Sequence, residues 1–394
     1  METGKYLITW GKLASILLTA LFLTGCEASS QVAPPTIEAP PSSDSEDNPL
    51  AYLRLADPAA SQAFFESNRH LFDYDKSAPL DIEEVSRRVE DGLTIVEITY
   101  ASPKGGRVPA ALIIPGGGGP FAGLVMQRSM ELEFGMQYAH YGALVIYVDA
   151  PSFRPQPEGA GQRGILTYTE QDREEQIQLI IDLRRAIDLL MARPDVDPDR
   201  IAYLGVSYGG AMGGLLAGVE DRLQAYVLIV GDGGLVTHVT NPQLRGMPPA
   251  EFHETYSDWI NTMWPLEPIH YVSRSSPAPI LFQNATRDQY TYFQDAIIYQ
   301  ETAGEPKQVI WYDSTHWPLP DEVVSDNAKW LQQYIGPGEL YLLPSPNYLG
   351  SAMLLDRLLL AALFLSVVLL IFAAWHFRRR RRRLSPGSIN IPEM

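Results

Sequence analysis

Cysteine is nearly absent: Cys26 is the only one in 394 residues. An intramolecular disulfide is therefore excluded, and so is a cysteine-ligated metal site. Basic side chains are also short, 30 lysines and arginines against 47 aspartates and glutamates, for a formal net charge of −17. That balance argues against nucleic acid as a partner. Residues 27–49 offer little to build a core, being rich instead in Pro34, Pro35, Pro40, Pro41, Asp44, Glu46 and Asp47. They read as a disordered tether. What remains is ample: 46% of the chain is hydrophobic, enough for one large α/β domain with a substantial core.

The two ends read as segments outside that domain. Residues 1–25 have the pattern of a secretory signal, with Lys5 and Lys12 ahead of an apolar stretch from Leu13 to Leu23. The stretch ends in Leu23-Thr24-Gly25-Cys26, which resembles a bacterial lipobox and implies lipidation at Cys26; a buried cysteine in an ordinary signal anchor is the alternative. Residues 26–49 follow as linker, 50–336 as the folded domain and 337–352 as a second linker. From Leu358 to Trp375 only Ser366 is polar, so 353–377 is expected to cross a bilayer as a helix. Arg378 to Arg383 open a basic tail, 378–394, which the positive-inside rule places in the cytoplasm. The folded domain is then expected on the extracytoplasmic face of a bacterial cell membrane.

Within 50–336, Leu93–Tyr100 alternates as a strand does, and Val108–Ile114 returns after the Lys104-Gly105-Gly106 turn. Gly116–Gly119 reads as a hairpin turn into a third strand, Gly123–Met126, with a fourth at Ala143–Val148. The later runs, Ile201–Leu204, Ala225–Val230, Ile280–Gln283 and Val309–Tyr312, are solidly apolar, as parallel strands covered on both faces should be. Gln171–Arg193 has helical spacing through Ile177, Ile180, Ile181, Arg184, Ile187 and Met191, a cap at Thr169-x-x-Asp172 and a stop at Pro194. Residues 71–80 read as a surface lead-in and Ala328–Ile335 as a closing helix. Strands alternating with helices predict a doubly wound, mostly parallel sheet.

The chemistry concentrates at Gly205-Val206-Ser207-Tyr208-Gly209, a G-x-S-x-G pentapeptide between an apolar strand and a small, glycine-rich helix start. In that context the motif is a nucleophile elbow, with glycines where side chains would clash. A glycine-rich turn serving only close packing is the bland alternative. A serine hydroxyl needs a base, and the base a carboxylate to orient it. His316 follows the last strand and Asp288 the one before it, where catalytic groups collect in open α/β sheets. Asp232 and Asp313 are the rival carboxylates, with loop capping as their ordinary role. The Tyr208 backbone N–H is the first expected oxyanion donor, and the backbone at Arg128 or a neighbour the second. The Arg128 side chain is open between a substrate anion and a surface salt bridge.

These stretches, with Arg193–Ile201, Tyr147–Pro151 and Ser207–Gly210, resemble the α/β-hydrolase superfamily over roughly residues 70–336. The branch they look closest to is the dienelactone-hydrolase-like and prolyl-oligopeptidase-like esterases. The resemblance implies an α/β-hydrolase fold with a small cap at about 232–277, and Ser207 as nucleophile, Asp288 as acid and His316 as base. One departure is that many relatives carry His-Gly where this chain has Gln127-Arg128. Dienelactone hydrolases proper use cysteine; serine points to ordinary esters, hydrolysed without metal or organic cofactor. Two rivals stand beside a small-molecule carboxylesterase. One is a prolyl-oligopeptidase-type peptidase, weakened by the lack of a long β-repeat region for a propeller; the other is a catalytically silent binding module. Tyr256, Trp259, Met263 and Trp264 in the cap either favour an acyl or aromatic group or only pack the cap to the core.

Overall fold

Nine strands build one sheet: β1 Glu83–Glu90, β2 Leu93–Ala101, β3 Arg107–Ile114, β4 Phe121–Arg128, β5 Ala143–Asp149, β6 Val196–Val206, β7 Tyr226–Ile229, β8 Ile280–Ala285 and β9 Lys307–Tyr312. Their order is β1-β2-β3-β5-β4-β6-β7-β8-β9. The first three strands and the β3–β5 pair are antiparallel. From β5 across to β9 every pairing is parallel. The expected doubly wound sheet is the observed one. The structure is a computed structural model that describes residues 58–128, 130–154, 166–236, 251, 254–291 and 293–336, all within one compact unit. The expected signal, Cys26, the two linkers, the apolar segment 353–377 and the basic tail lie outside the described residues. Among the described residues no helix is long and apolar enough to cross a membrane.

Among the described residues the α-helices are α1 Pro58–Asn68, α2 Leu132–His140, α3 Glu170–Met191, α4 Tyr208–Val219, α5 Ser257–Met263, α6 Phe293–Thr302 and α7 Glu322–Ile335. The central strands are largely apolar because both faces are covered: β7 and β8 are buried at every position. Successive side chains of one strand feed opposite cores. Val125, Ile146 and Tyr203 pack with α3 and α4, while Leu124, Met126 and Val145 pack with α2 and α7. The helix layers thus leave the C-terminal ends of β4 to β9 along one edge, where the loops carry the site.

Several local expectations need correction. Gly116–Gly119 is not a hairpin turn. β3 pairs with β2 and β5, and β4 with β5 and β6, so this segment crosses from β3 past the position that β5 later fills. The sheet also begins one strand earlier than expected. Every residue of β1 is exposed, so it shows no apolar alternation to read. Residues 71–80 are not merely a surface lead-in, since Phe72 is fully buried against Tyr271 with ring centroids 5.6 Å apart.

The long helix α3 behaves largely as its spacing predicts. Thr169 Oγ1 accepts from the Gln171 N–H at 3.2 Å, as an N-cap should. Asp172 turns back instead onto the Thr167 and Tyr168 N–H groups. Of the apolar stripe, Met191 is exposed, and Arg184 is buried where it meets Glu220 at 3.1 Å.

Candidate active site

Ser207 sits between β6 and α4 with φ 56° and ψ −118°, a left-handed conformation that non-glycine residues rarely adopt. The turn is held by the Ser207 N–H, which donates to Ile229 O at 2.8 Å, and by the Ala211 N–H, which donates to Ser207 O at 3.0 Å. Gly205 is required by close approach: a Cβ there would lie 2.1 Å from Gly209 O. That same carbonyl accepts the Tyr203 hydroxyl at 2.8 Å from beneath. A serine held this way projects from the strand end over the start of a helix, whose first N–H groups have no intrahelical acceptor. The Tyr208 N–H is among those groups.

The two expected partners meet the serine. His316 Nε2 lies 2.9 Å from Ser207 Oγ. On its other side, His316 Nδ1 lies 2.7 Å from Asp288 Oδ2 and 2.9 Å from Oδ1. Asp288 is itself fixed, because Oδ1 accepts the Tyr290 and Thr291 N–H groups at 2.8 and 2.9 Å. The Tyr290 ring stands 4.9 Å from the imidazole. The His316 and Asp288 side chains are mostly buried, at 12% and 7% exposure, which shields their pairing from water. A neutral imidazole that gives Nδ1–H to Asp288 presents Nε2 as an acceptor to the serine hydroxyl. The arrangement can therefore take a proton from Ser207 as its oxygen attacks.

The rival carboxylates lie elsewhere. Asp313 is exposed and pairs with Arg287 at 3.1 Å. Asp232 is fully buried, and its charge helps raise the pKa of Glu267. Glu267, buried and accepting the Leu235 and Val236 N–H groups, has its carboxyl pushed well up by burial first and by Asp232 last. Arg128 points to Asp149 at 3.4 Å, which is the salt-bridge outcome. The Asp149 carboxyl is raised by burial against the pull of Arg128.

The cap aromatics divide. Trp259 is buried and donates its indole N–H to Asp172 at 2.9 Å, so it fastens the cap to α3. Tyr256 is half-buried and stacks on Tyr168, with centroids 4.7 Å apart. Residues 237–250 of the expected cap lie outside the described residues. Two side chains near the serine carry no motif. Gln176 takes the Tyr208 hydroxyl, and Gln127, at the end of β4, packs on Gly209. For Gln127 the sequence signals are its place at the end of that strand and the departure at Gln127-Arg128.

With a nine-stranded sheet of this order, the elbow after β6, and acid and base after β8 and β9, the architecture is decided. The fold is that of the α/β hydrolases. The model of the Prolyl oligopeptidase family matches residues 142–336, a stretch that includes Ser207, Asp288 and His316. The acetyl xylan esterase 1 of Thermoanaerobacterium sp. JW/SL YS485 superposes with a TM-score of 0.57 at 19% identity, over 71% of this chain and 94% of that one. The acetyl xylan esterase of Paenibacillus sp. R4 gives 0.56 at 18% identity, over 71% and 96%. A curated relative, the uncharacterized protein YfhR of Salmonella typhi, is 29% identical over 142 residues. That match spans 34% of this chain and 45% of the relative, less than half its length. Together these findings support a serine hydrolase on an α/β-hydrolase scaffold.

Proposed function

We propose that this chain hydrolyses small carboxylic esters through an acyl-enzyme on Ser207, outside the cytoplasmic membrane. The observation that carries the reaction is the relay of 2.9 Å from Ser207 to His316 Nε2 and 2.7 Å from Nδ1 to Asp288. His316 takes the hydroxyl proton as Ser207 Oγ bonds to the carbonyl carbon. The tetrahedral oxyanion is met by the Tyr208 N–H and by the backbone at Arg128. Collapse breaks the ester C–O bond, and the proton on Nε2 passes to the leaving alcohol. Water repeats the sequence and frees the acid. Asp288 stays ionised throughout and keeps the imidazole in the productive tautomer.

Labelling the full chain with a fluorophosphonate probe tests this directly. An adduct on Ser207 that is lost in Ser207→Ala is expected; a folded wild-type chain that takes no label at Ser207 sinks the proposal. The family match favours a second reading, peptide-bond hydrolysis. A panel of p-nitrophenyl esters against aminoacyl p-nitroanilides separates the two, and preference for the anilides would select the peptidase. The location rests on Leu23–Cys26, on the apolar run to Trp375 and on the arginines after it. Protease added to intact cells is expected to release the domain; full protection would refute the placement.

A further inference from the structure

We infer that Gln127 is a positioning residue that holds the two backbone walls of the oxyanion site in register. This rests on Ser207 as nucleophile. Gln127 is 2% exposed at the C-terminal end of β4. Its side-chain amide touches the backbone next to each nominated donor. On one side Nε2 donates to the Arg128 carbonyl at 3.2 Å. On the other, Oε1 presses on Gly209, where a Cβ would lie only 2.6 Å from it. Gly209 directly follows Tyr208 in the first turn of α4, so the distance of Gly209 from β4 sets where the helix start that carries the Tyr208 N–H sits.

An amide at this position carries a cost. Gln127 Oε1 is buried and makes no hydrogen bond to the protein. A buried acceptor without a partner is unfavourable, and an apolar side chain of equal length would fill the same space without that penalty. Stability alone therefore does not account for an amide here. Geometry does: the planar amide restrains the backbone at Arg128 through that residue's carbonyl, while its oxygen sets how closely the elbow can approach β4. An oxyanion site works only if its donors are already aimed where charge develops. A side chain bridging both walls supplies that aim without touching substrate.

The test is Gln127→Met in the full chain, assayed on a p-nitrophenyl ester. The expected result is kcat down by about tenfold or more, KM within about twofold, and a thermal midpoint equal to or above wild type. Binding of an aryl trifluoromethyl ketone, which forms the tetrahedral adduct on Ser207, should weaken by a similar factor. Gln127→Leu should show the same split. Unchanged kcat in either folded variant overturns the inference, and so does a loss of kcat matched by a fall in midpoint. Failure of both variants to fold also counts against it, because the amide would then be structural. The hydrolase reading stands or falls separately, on fluorophosphonate labelling of wild-type Ser207.

Discussion

Trp259 donates its indole N–H to the Asp172 carboxylate at 2.9 Å. The bond ties α5 of the cap to the first turn of α3. Asp172 is 1% exposed, and it also accepts the Thr167 N–H, the Thr167 hydroxyl and the Tyr168 N–H, each at 2.8 Å. One turn further along α3, Gln176 meets the hydroxyl of Tyr208. The same face of one helix thus holds the cap, the chain that leads into the helix, and the residue after the nucleophile.

Trp259→Phe keeps the ring packing and deletes one donor, so it is expected to cost about 1 kcal/mol. Asp172→Ala strands four donors, the buried Trp259 indole N–H and three half-buried groups at Thr167 and Tyr168, and should cost at least about 3 kcal/mol. Urea unfolding of both variants measures this. Equal effects from the two would show that Asp172 does not act as the hub.

Asp288→Asn separates orientation from folding. An asparagine oxygen can still accept the Tyr290 and Thr291 N–H groups, which now hold Asp288 Oδ1. It cannot stabilise the imidazolium or enforce the same tautomer. kcat for a p-nitrophenyl ester is expected to fall about 10⁴-fold with little change in thermal midpoint. A loss under tenfold would assign the acid role to another carboxylate.

His270 makes stability depend on pH. It is 2% exposed, between Phe64 and Trp264 at 4.3 and 4.6 Å, and burial pushes its imidazole down to about 3. A base whose pKa is lower folded than unfolded binds fewer protons in the fold. Its contribution is complete above the unfolded value of about 6.5 and is lost as pH falls toward the folded one. Between pH 7 and 5 the loss should be about 2 kcal/mol. His270→Phe should flatten that slope in urea titrations at the two pH values, and an unchanged slope would assign it to other groups.

The fold was legible wherever burial on both faces made strands mostly apolar, as in β4, β5, β7 and β8. It was not legible in β1, whose exposed residues share no apolar face. The usable signal there was Asp91-Gly92, a hairpin turn with φ 49° and 79° at its two residues. The glycines at 116–119 misled because a tight turn and a crossover use the same residues; only the pairing of β3 with β5 distinguishes them. Ser207, Asp288 and His316 were legible because each follows an apolar strand, and strand ends meet at one edge. The contacts of Gln127 with Gly209 and of Asp172 with Trp259 were not, since a polar residue reveals such work only when its partners, distant in sequence, are seen beside it.

The Arg128–Asp149 pair has a pH signature of its own. The guanidinium is 37% exposed and 3.4 Å from the carboxylate. The oxyanion role proposed at Arg128 is one for its backbone, which Arg128→Ala leaves in place. kcat on neutral p-nitrophenyl acetate should therefore stay within about threefold of wild type. KM for an anionic ester such as p-nitrophenyl hemisuccinate should change by the same factor as for the acetate, because Asp149 already occupies the cation. A selective rise for the anionic ester would instead make Arg128 a substrate contact. The stability cost should be at most about 1 kcal/mol, the range for partly exposed pairs. Its sign with pH follows from Asp149, whose carboxyl burial raises despite Arg128. An acid raised in the fold favours the protonated form, so its burial is tolerated at low pH and becomes unfavourable as pH rises. Arg128 offsets that rise, and its removal should cost more at pH 8 than at pH 5. Thermal midpoints of wild type and Arg128→Ala at the two pH values check the order, and a larger cost at pH 5 would refute it.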